Sequence, residues 1–386
     1  MKKQKICVIG GSLTGLVTAI SLSKLNCDVD IIAEDNKQNI KSSRTIAVSE
    51  NNLEFLKKLN IFKSFAKYAW PCSVMEIYIE NKNKEFSKVY ELNKNNKKEK
   101  ILYMFKNSII TQLLKDRIKK IKNISLIKNK KISSINNSGL LKSVRVKNKN
   151  IKYNLIIICT GSNSNLVKNI FNNQTIENSY KETSTTTILQ HAPTKNNSAR
   201  QFFLENEIFA MLPISNTKTS IVWSKKNEGN ENIFKIKEKI KFYTKSYLKK
   251  IKFTSRIEKK DLNFLIRKNY YKDRILLFGD ALHVIHPFVG QGFNMVLRDL
   301  ISLENILLKK IGLGLDIGAS DILSEFAKET KSGNFVFSIS TDLLKNSFTI
   351  KNKYFKEARN RILKKIDKND FTKNIFFNIA NKGFKF

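Results

Sequence analysis

Acidic side chains are scarce in this chain. Against 71 Lys and Arg there are 33 Asp and Glu, which leaves a net charge of +38 over 386 residues. A charge of that size invites nucleic acid or an anionic membrane as partner. The lysines, however, are spread through Lys/Asn-rich stretches such as residues 93–100 and 147–152. With no arginine-rich patch, C2H2 spacing or aromatic ribonucleoprotein box, a dedicated nucleic-acid module is excluded. Cysteine is also sparse: Cys7, Cys27, Cys72 and Cys159 form no C-x-x-C pair and no metal-ligand spacing. They read as reduced thiols of a cytoplasmic protein, with no metal site. No apolar run approaches the roughly 18–20 residues of a membrane span, so any membrane contact is peripheral. What is present, 41% hydrophobic and 10% aromatic residues, specifies a large buried core. The length fits one big α/β unit or two intimately joined domains.

Met1 to Lys5 and the apolar residues after them superficially mimic a secretory signal, but the glycines at 10, 11 and 15 identify the start of a fold. Residues 6–9 read as a strand, Gly10-Gly11-Ser12-Leu13-Thr14-Gly15 as a glycine turn, 16–25 as an amphipathic helix and 29–32 as a second strand. This is the βαβ start of a dinucleotide-binding fold, whose turn seats a pyrophosphate on the helix N-terminus. Two positions depart from the fingerprint: Ser12 replaces the middle glycine, and Ala33 stands where an acidic residue should hold a ribose hydroxyl, with Glu34 one residue later.

Ser49 is placed to cap a helix that carries Leu53, Phe55, Leu56 and Leu59. Short alternating runs from about residue 70 to 101 read as strands, 108–121 as a helix, and 124–127 as a strand. Residues 153–161 form a continuous apolar strand suited to the centre of a parallel sheet. Alternation dominates again over 184–264, at 185–189, 201–204, 209–212 and 219–223, and predicts an antiparallel sheet with a lysine-rich helix at 233–248. The nucleotide-binding and sheet segments therefore interleave, and a ligand pocket between them is expected. Beyond Gly312 the sequence is helical, at 324–332, 335–348 and 354–366. Its last stretch, 371–386, carries Phe371, Phe376, Phe377, Phe384 and Phe386 among lysines. That stretch suits either an interfacial membrane element or a helix that docks on the core.

The densest stretch is Gly279-Asp280-Ala281-Leu282-His283-Val284-Ile285-His286-Pro287-Phe288-Val289-Gly290-Gln291-Gly292-Phe293-Asn294, which follows the apolar run 275–278. A strand ending at Gly-Asp puts a carboxylate at its carboxyl end, where open α/β sheets bind ligands. The glycine pair then opens a helix, aiming free N–H groups and a positive helix end at something electron-rich. Two roles are open to His283 and His286, catalysis and backbone positioning in the turn, and the second is favoured.

Together these motifs resemble the FAD-dependent aromatic-ring hydroxylases, and among them the ubiquinone-biosynthesis hydroxylases. The resemblance rests on the Gly10/Gly15 turn, Arg44-Thr45-x-Ala47-x-Ser49, residues 156–161 with Ser164, Phe202, Ala210-x-Leu212-Pro213, Val222-Trp223, the 279–299 block and Thr341-Asp342-x-Leu344. It implies an α/β fold in which a Rossmann-like FAD-binding domain (1–69, 102–170, 265–330) is interleaved with an antiparallel-sheet substrate domain (70–101, 171–264), followed by C-terminal helices (331–386). It assigns Gly10, Gly11, Ser12 and Gly15 to the FAD pyrophosphate, Glu34 to the adenosine end, and Arg44 to FAD. Gly279 and Asp280 would serve the ribityl or pyrophosphate side, Pro287 the isoalloxazine, and Gly290, Gln291, Gly292 and Asn294 the pyrimidine side. No catalytic residue is implied. The family's Asp-Gly motif reads Thr160-Gly161 here, and Val167 holds an arginine position with Lys168 displaced by one, which leaves the reductant open.

The implied activity is hydroxylation of a polyprenylated phenol or quinol precursor of ubiquinone, using O2 and NAD(P)H or another donor through a flavin hydroperoxide. The enzyme would lie on the cytoplasmic side, peripheral to an anionic inner membrane, with other quinone-biosynthesis proteins as partners. The alternatives are a flavin monooxygenase or reductase acting on a soluble aromatic, and a catalytically silent flavoprotein scaffold.

Overall fold

The computed structural model describes residues 3–34, 42–61, 66–80, 85–93, 100–128, 132–171, 175–227, 231–287, 290–350 and 352–384. Residues 94–99 of the first Lys/Asn stretch, Phe288 and Val289 of the dense loop, Phe386 and the Phe376 side chain lie outside them.

A six-stranded sheet forms the nucleotide-binding half, in the order Tyr271–Lys272, Ile275–Leu277, Leu155–Ile158, Lys5–Ile9, Asp28–Ala33, Ile124–Lys128. All neighbours are parallel except the edge hairpin of Tyr271–Lys272 with Ile275–Leu277. Leu155 to Ile158 are fully buried, which is why those four residues alternate with nothing polar: both faces of a central parallel strand are covered. One cover is the helix Leu13–Ser23, which buries nine of its eleven residues. The other is a meander of Ile132–Ser138, Leu141–Val146 and Lys149–Tyr153, paired antiparallel throughout. No element was assigned there from sequence, because its lysines and asparagines mask a half-exposed alternation. The meander is pinned by Tyr153, whose buried hydroxyl donates to Asp30 at 2.7 Å, while Lys5 lies 2.8 Å from the same carboxylate.

The second sheet runs in the order His283–Val284, Glu258–Arg267, Thr175–Gln190, Lys218–Lys226, Glu207–Ser215, Ser198–Phe203, Val74–Glu80, Phe86–Asn93. It is antiparallel with one exception, since Ser198–Phe203 and Val74–Glu80 run parallel. Those two strands come from separate passes of the chain, so no hairpin dictates their direction. Its core is aromatic: Phe202, Phe209 and Trp223 are buried, and Tyr78 stacks on Phe202 with centroids 4.9 Å apart. Between the halves lies a three-stranded sheet of Thr45–Ser49, Leu102–Lys106 and Trp70–Cys72. Residues 102–106 are thus a strand, and the helix expected at 108–121 is Asn107–Ile118. Ser49 sits at the N-cap of Glu50–Lys58 but makes no side-chain cap; its hydroxyl donates to the Asn381 carbonyl.

At the C-terminal end, the two helices expected at 324–332 and 335–348 are one, Ser320–Ser347, which runs through Gly333. Glycine there serves packing: a Cβ at 333 would stand 2.7 Å from the Phe384 carbonyl oxygen. The tail helix Asp370–Lys382 docks through that contact, through Phe384 against Phe337, and through the Asn381 side chain, which accepts from the Asn51 N–H at 3.1 Å. Its other side leaves Phe371 76% and Ile375 42% exposed. The tail therefore docks on the core and also presents apolar side chains outward.

Gly333→Val sets a clash with the tail backbone, worth about 1–3 kcal/mol, against a helix-propensity gain below about 1 kcal/mol. The clash should win. A lower thermal midpoint and faster proteolytic loss of the segment beyond residue 350 are expected; an unchanged cleavage pattern would refute the docking.

Candidate cofactor site

Three neighbouring parallel strands, Lys5–Ile9, Leu155–Ile158 and Ile275–Leu277, end side by side, and the loops that leave them meet at their carboxyl ends. The approach is close enough to exclude side chains. A Cβ on Gly10, whose φ is +129°, would lie 2.7 Å from the Cys159 carbonyl oxygen, and one on Gly15 would lie 2.0 Å from the Gly10 carbonyl oxygen. Gly279 abuts Thr14 in the same way, with 2.6 Å to its methyl. Asp280, in the short 3-10 turn Gly279–Ala281, is thereby held exposed beside the N-terminus of Leu13–Ser23. Ser12 occupies the N-cap of that helix but makes no side-chain cap bond, so its hydroxyl does not take the helix's first free N–H groups.

Ala33 has a physical role. A Cβ on Gly11 would be 2.6 Å from the Ala33 Cβ, so residue 33 is the wall of the glycine turn. The exposed Glu34 follows directly, at the end of strand Asp28–Ala33. Arg44 enters the strand Thr45–Ser49, and its guanidinium has no partner among the described residues.

A second helix N-terminus faces the same region. Gly290, at φ +65°, presses toward Ala47, whose Cβ would be 3.0 Å from one on Gly290. Gln291 is the N-cap of Gly292–Gly312; it is buried, and its side-chain oxygen has no partner. A Cβ on Gly292 would meet nothing within 4 Å, which leaves open space beside the helix start. The Thr160 hydroxyl is likewise buried and unpaired. Open space beside Gly292 together with the orphaned buried polar atoms of Gln291 and Thr160 fits a polar cofactor bound at these loops.

The loop is held from behind. Asn294 is fully buried and saturated: its oxygen accepts from the Ser49 N–H at 2.9 Å and from the Asn52 amide, and its nitrogen donates to the Ala47 carbonyl at 3.0 Å. His283 pairs its backbone with Ile266, and its Nε2 lies 2.7 Å from Asp299, whose other oxygen accepts from Asn334. Through Asp299 the His283 imidazole is tied to the helix Gly292–Gly312. His286 Nε2 lies 3.2 Å from Glu182.

Arg267 went unnoticed in the sequence. Buried at the end of Glu258–Arg267, it donates through Nε to the Ala281 carbonyl at 2.7 Å and through a terminal nitrogen to the Ser162 carbonyl at 3.1 Å. It ties the Gly279–Ala281 turn to the loop after Leu155–Ile158. A lone arginine closing the apolar run Phe264-Leu265-Ile266 was the available signal. No group of three or more His, Cys, Asp or Glu placed to hold a metal occurs among the described residues.

Beyond Gly290 lies a cavity of about 100 Å³ between the two halves. The three-stranded sheet supplies Thr45, Ala47, Leu102 and Met104, alternate residues on one face, and the large sheet supplies Ile208, Ala210 and Leu212, again alternate. Pro287 and His286 close the loop side.

With that geometry established, the comparisons are informative. A model of the FAD binding domain matches residues 3–313. The chain belongs to this family. Among curated relatives of this FAD-binding chain, the mitochondrial ubiquinone biosynthesis monooxygenase COQ6 of Dictyostelium discoideum is 23% identical over 422 aligned residues, covering 89% of this chain and 84% of the relative. Ubiquinone hydroxylase UbiL of Rhodospirillum rubrum is 26% identical over 175 residues, 44% of this chain and 41% of the relative. Among solved structures, p-nitrophenol 4-monooxygenase PnpA from Pseudomonas putida superposes with TM-score 0.80 at 14% identity, covering 100% of this chain and 99% of that one. Klebsiella pneumoniae HpxO complexed with FAD and uric acid superposes with TM-score 0.78 at 13% identity, covering 98% and 97%. The expected α/β fold, with a Rossmann-like half, a second sheet and C-terminal helices, is the fold these solved structures share.

Asn294→Ala strands the Ser49 N–H and the Ala47 carbonyl in the core, each unsatisfied group costing about 1–3 kcal/mol. A loss of about 3 kcal/mol in urea unfolding is expected, with the loop beside Gly290 loosened; a loss under about 0.5 kcal/mol would contradict the tie.

Proposed function

We propose that this protein is an FAD-dependent monooxygenase that hydroxylates the aromatic ring of a polyprenylated phenol or quinol in ubiquinone biosynthesis. The observation that carries the reading is the apolar cavity against His286, Pro287 and Gly290. The ubiquinone-biosynthesis roles of the COQ6 and UbiL relatives support the substrate class.

When bound, FAD supplies the activation of O2 and the delivery of one oxygen atom to the ring, with NAD(P)H as the electron donor in this reading. The protein's share is binding, orientation and exclusion of water. Gly10, Gly11 and Gly15 let the N-terminus of Leu13–Ser23 take the pyrophosphate, Ser12 lies alongside, and Glu34 takes the ribose of the adenosine. Arg44 and Asp280 would hold the middle of the cofactor, with Gly279 packed against Thr14 beside Asp280. Pro287 would serve the flavin ring. The N–H groups of Gln291 and Gly292, with the dipole of Gly292–Gly312, would stabilise negative charge on the ring's pyrimidine side, whereas the Gly290 N–H is taken by the Pro287 carbonyl at 3.2 Å. Met104, Leu102 and Leu212 keep the reacting ring dry.

No helix among the described residues is long and apolar enough to cross a membrane. A lipid substrate is reached in this reading from a membrane surface, on which the protein is peripheral. The basic helix Lys353–Asp367 buries no residue and exposes Tyr354 and Ile362, and Asp370–Lys382 exposes Phe371 and Ile375. Apolar side chains among lysines suit an anionic interface, and other quinone-biosynthesis proteins would share that surface.

Purified protein is expected to carry flavin absorbance. Asp280→Ala should lose FAD during gel filtration, whereas Thr160→Ala should retain it; the reverse pattern defeats the assignment of Asp280. A deletion strain should accumulate a polyprenyl-phenol precursor in its lipid extract.

A further inference from the structure

A cluster of buried ionisable groups stands beside the cavity. The strand Thr175–Gln190 carries a register shift between Ser179 and Glu182, with Lys181 in the left-handed region at φ +49°. A bulge of this kind re-aims the side chains that follow it. Glu182, 6% exposed, bonds His286 Nε2 at 3.2 Å through one oxygen and Lys345 Nζ through the other. Lys345, 4% exposed, comes from the helix Ser320–Ser347 and also lies 4.3 Å from the centroid of the Tyr180 ring. That ring packs edge-on to His286 with centroids 5.2 Å apart. Asp342, on the same helix as Lys345, adds a further charge near the imidazole.

Buried carboxylate and ammonium groups lose hydration worth several kcal/mol per ion and persist only where paired. Here one lysine answers one glutamate, and His286 is the third member. Because Glu182 accepts, Nε2 carries the proton of the neutral imidazole and Nδ1 keeps a lone pair. His286 is 1% exposed, lines the apolar cavity, and its Nδ1 has no partner. Thr45, across the same cavity, has an unpaired buried hydroxyl as well. Two unpaired polar atoms in the lining of one small apolar cavity call for a ligand that brings a hydroxyl.

We propose that His286 binds the ring hydroxyl of the substrate through Nδ1 and takes its proton, with Glu182 orienting the imidazole and Thr45 completing the hydroxyl's contacts. The proposal rests on the phenol reading above. The O–H bond breaks, the electron pair stays on the ring oxygen, and an Nδ1–H bond forms. The ring becomes more electron-rich toward an electrophilic oxygen donor. The imidazolium is held by Glu182, and the proton returns to the ring oxygen as product leaves. Burial, the largest influence, lowers the His286 pKa from its usual 6.5, with Lys345 acting the same way, while Glu182 and Asp342 oppose it. The Glu182 carboxyl is held below its usual range, where the His286 and Lys345 bonds outweigh desolvation. Tyr180, pushed far up by burial, stays protonated throughout. The base is therefore neutral and its orienting carboxylate ionised at and somewhat below pH 6.5. The acid limb of the kcat/KM profile is expected below that pH.

The test uses holoprotein and a 4-fluorophenol bearing a short alkyl chain, whose ionisation is followed by fluorine NMR. Bound to wild type, the phenol should ionise at least tenfold more readily than in buffer. In His286→Gln it should revert to the buffer value, and kcat should fall about 100-fold. Glu182→Gln, which keeps a bonding partner but removes the charge, should give an intermediate ionisation. It decides the matter if His286→Gln does not fold. Flavin absorbance is read on every sample. Wild type without flavin defeats the monooxygenase reading. Flavin retained with the same phenol ionisation in wild type and in whichever variant folds, or with no shift from buffer in wild type, overturns the role of His286.

Discussion

The constraint on which everything else depends is the crowding where three parallel strands end together. Lys5–Ile9, Leu155–Ile158 and Ile275–Leu277 lie about 4.8 Å apart, as neighbouring strands must. Each then hands over to a loop within one or two residues. Space for those loops exists only if side chains are absent at Gly10 and Gly15, since a Cβ at either would fall inside a neighbouring backbone carbonyl. The same absence exposes N–H groups at the start of Leu13–Ser23. The packing solution and the anion-binding surface are therefore one feature: what lets the chain turn also lets a phosphate approach.

The second helix end is held differently. The position of Gly292–Gly312 is fixed by buried polar ties to unrelated parts of the chain: Asn294 to Thr45–Ser49, His283 through Asp299 to Asn334, and Arg267 to Ala281 and Ser162. Each tie satisfies groups that would otherwise be buried at a cost of about 1–3 kcal/mol apiece. A loop fixed in this way can keep the Gln291 side-chain oxygen and His286 Nδ1 unpaired without collapsing onto them. Local frustration is tolerated because the surroundings over-determine the backbone.

This division explains what could be read from the sequence. Crowding leaves a short, local signature, so the turn at Gly10–Gly15 and the Gly279–Asn294 block were legible, as were the apolar central strands. Ties across the fold leave no local signature. Arg267 sits in a strand, Glu182 follows a bulge that no residue pattern announces, and Lys345 is one lysine among many in a chain with a charge of +38. The meander 132–153 was missed for the same reason, since lysine and asparagine on its open face dilute the alternation of Val144 and Val146. Asn294 was legible as a position but not in its bonds: from sequence it belongs beside a cofactor, and in the structure its amide is taken up by the protein backbone and Asn52.

The C-terminal helices also belong to this logic. Phe348, one residue past Ser320–Ser347, stacks on Phe203 at 3.6 Å, and Leu363, Ile366 and Phe377 pack on the cluster that contains Met75, Leu102 and Met104. Those three are cavity-lining residues, so the helices after residue 331 pack behind the lining of the pocket. The same helix that supplies Phe348 supplies Lys345 to Glu182. A shift of Ser320–Ser347 would therefore open the apolar wall and remove the counter-charge of the buried carboxylate together. Wall and charge are set by one rigid element, so the dryness of the pocket and the ionisation beside it are coupled through its position.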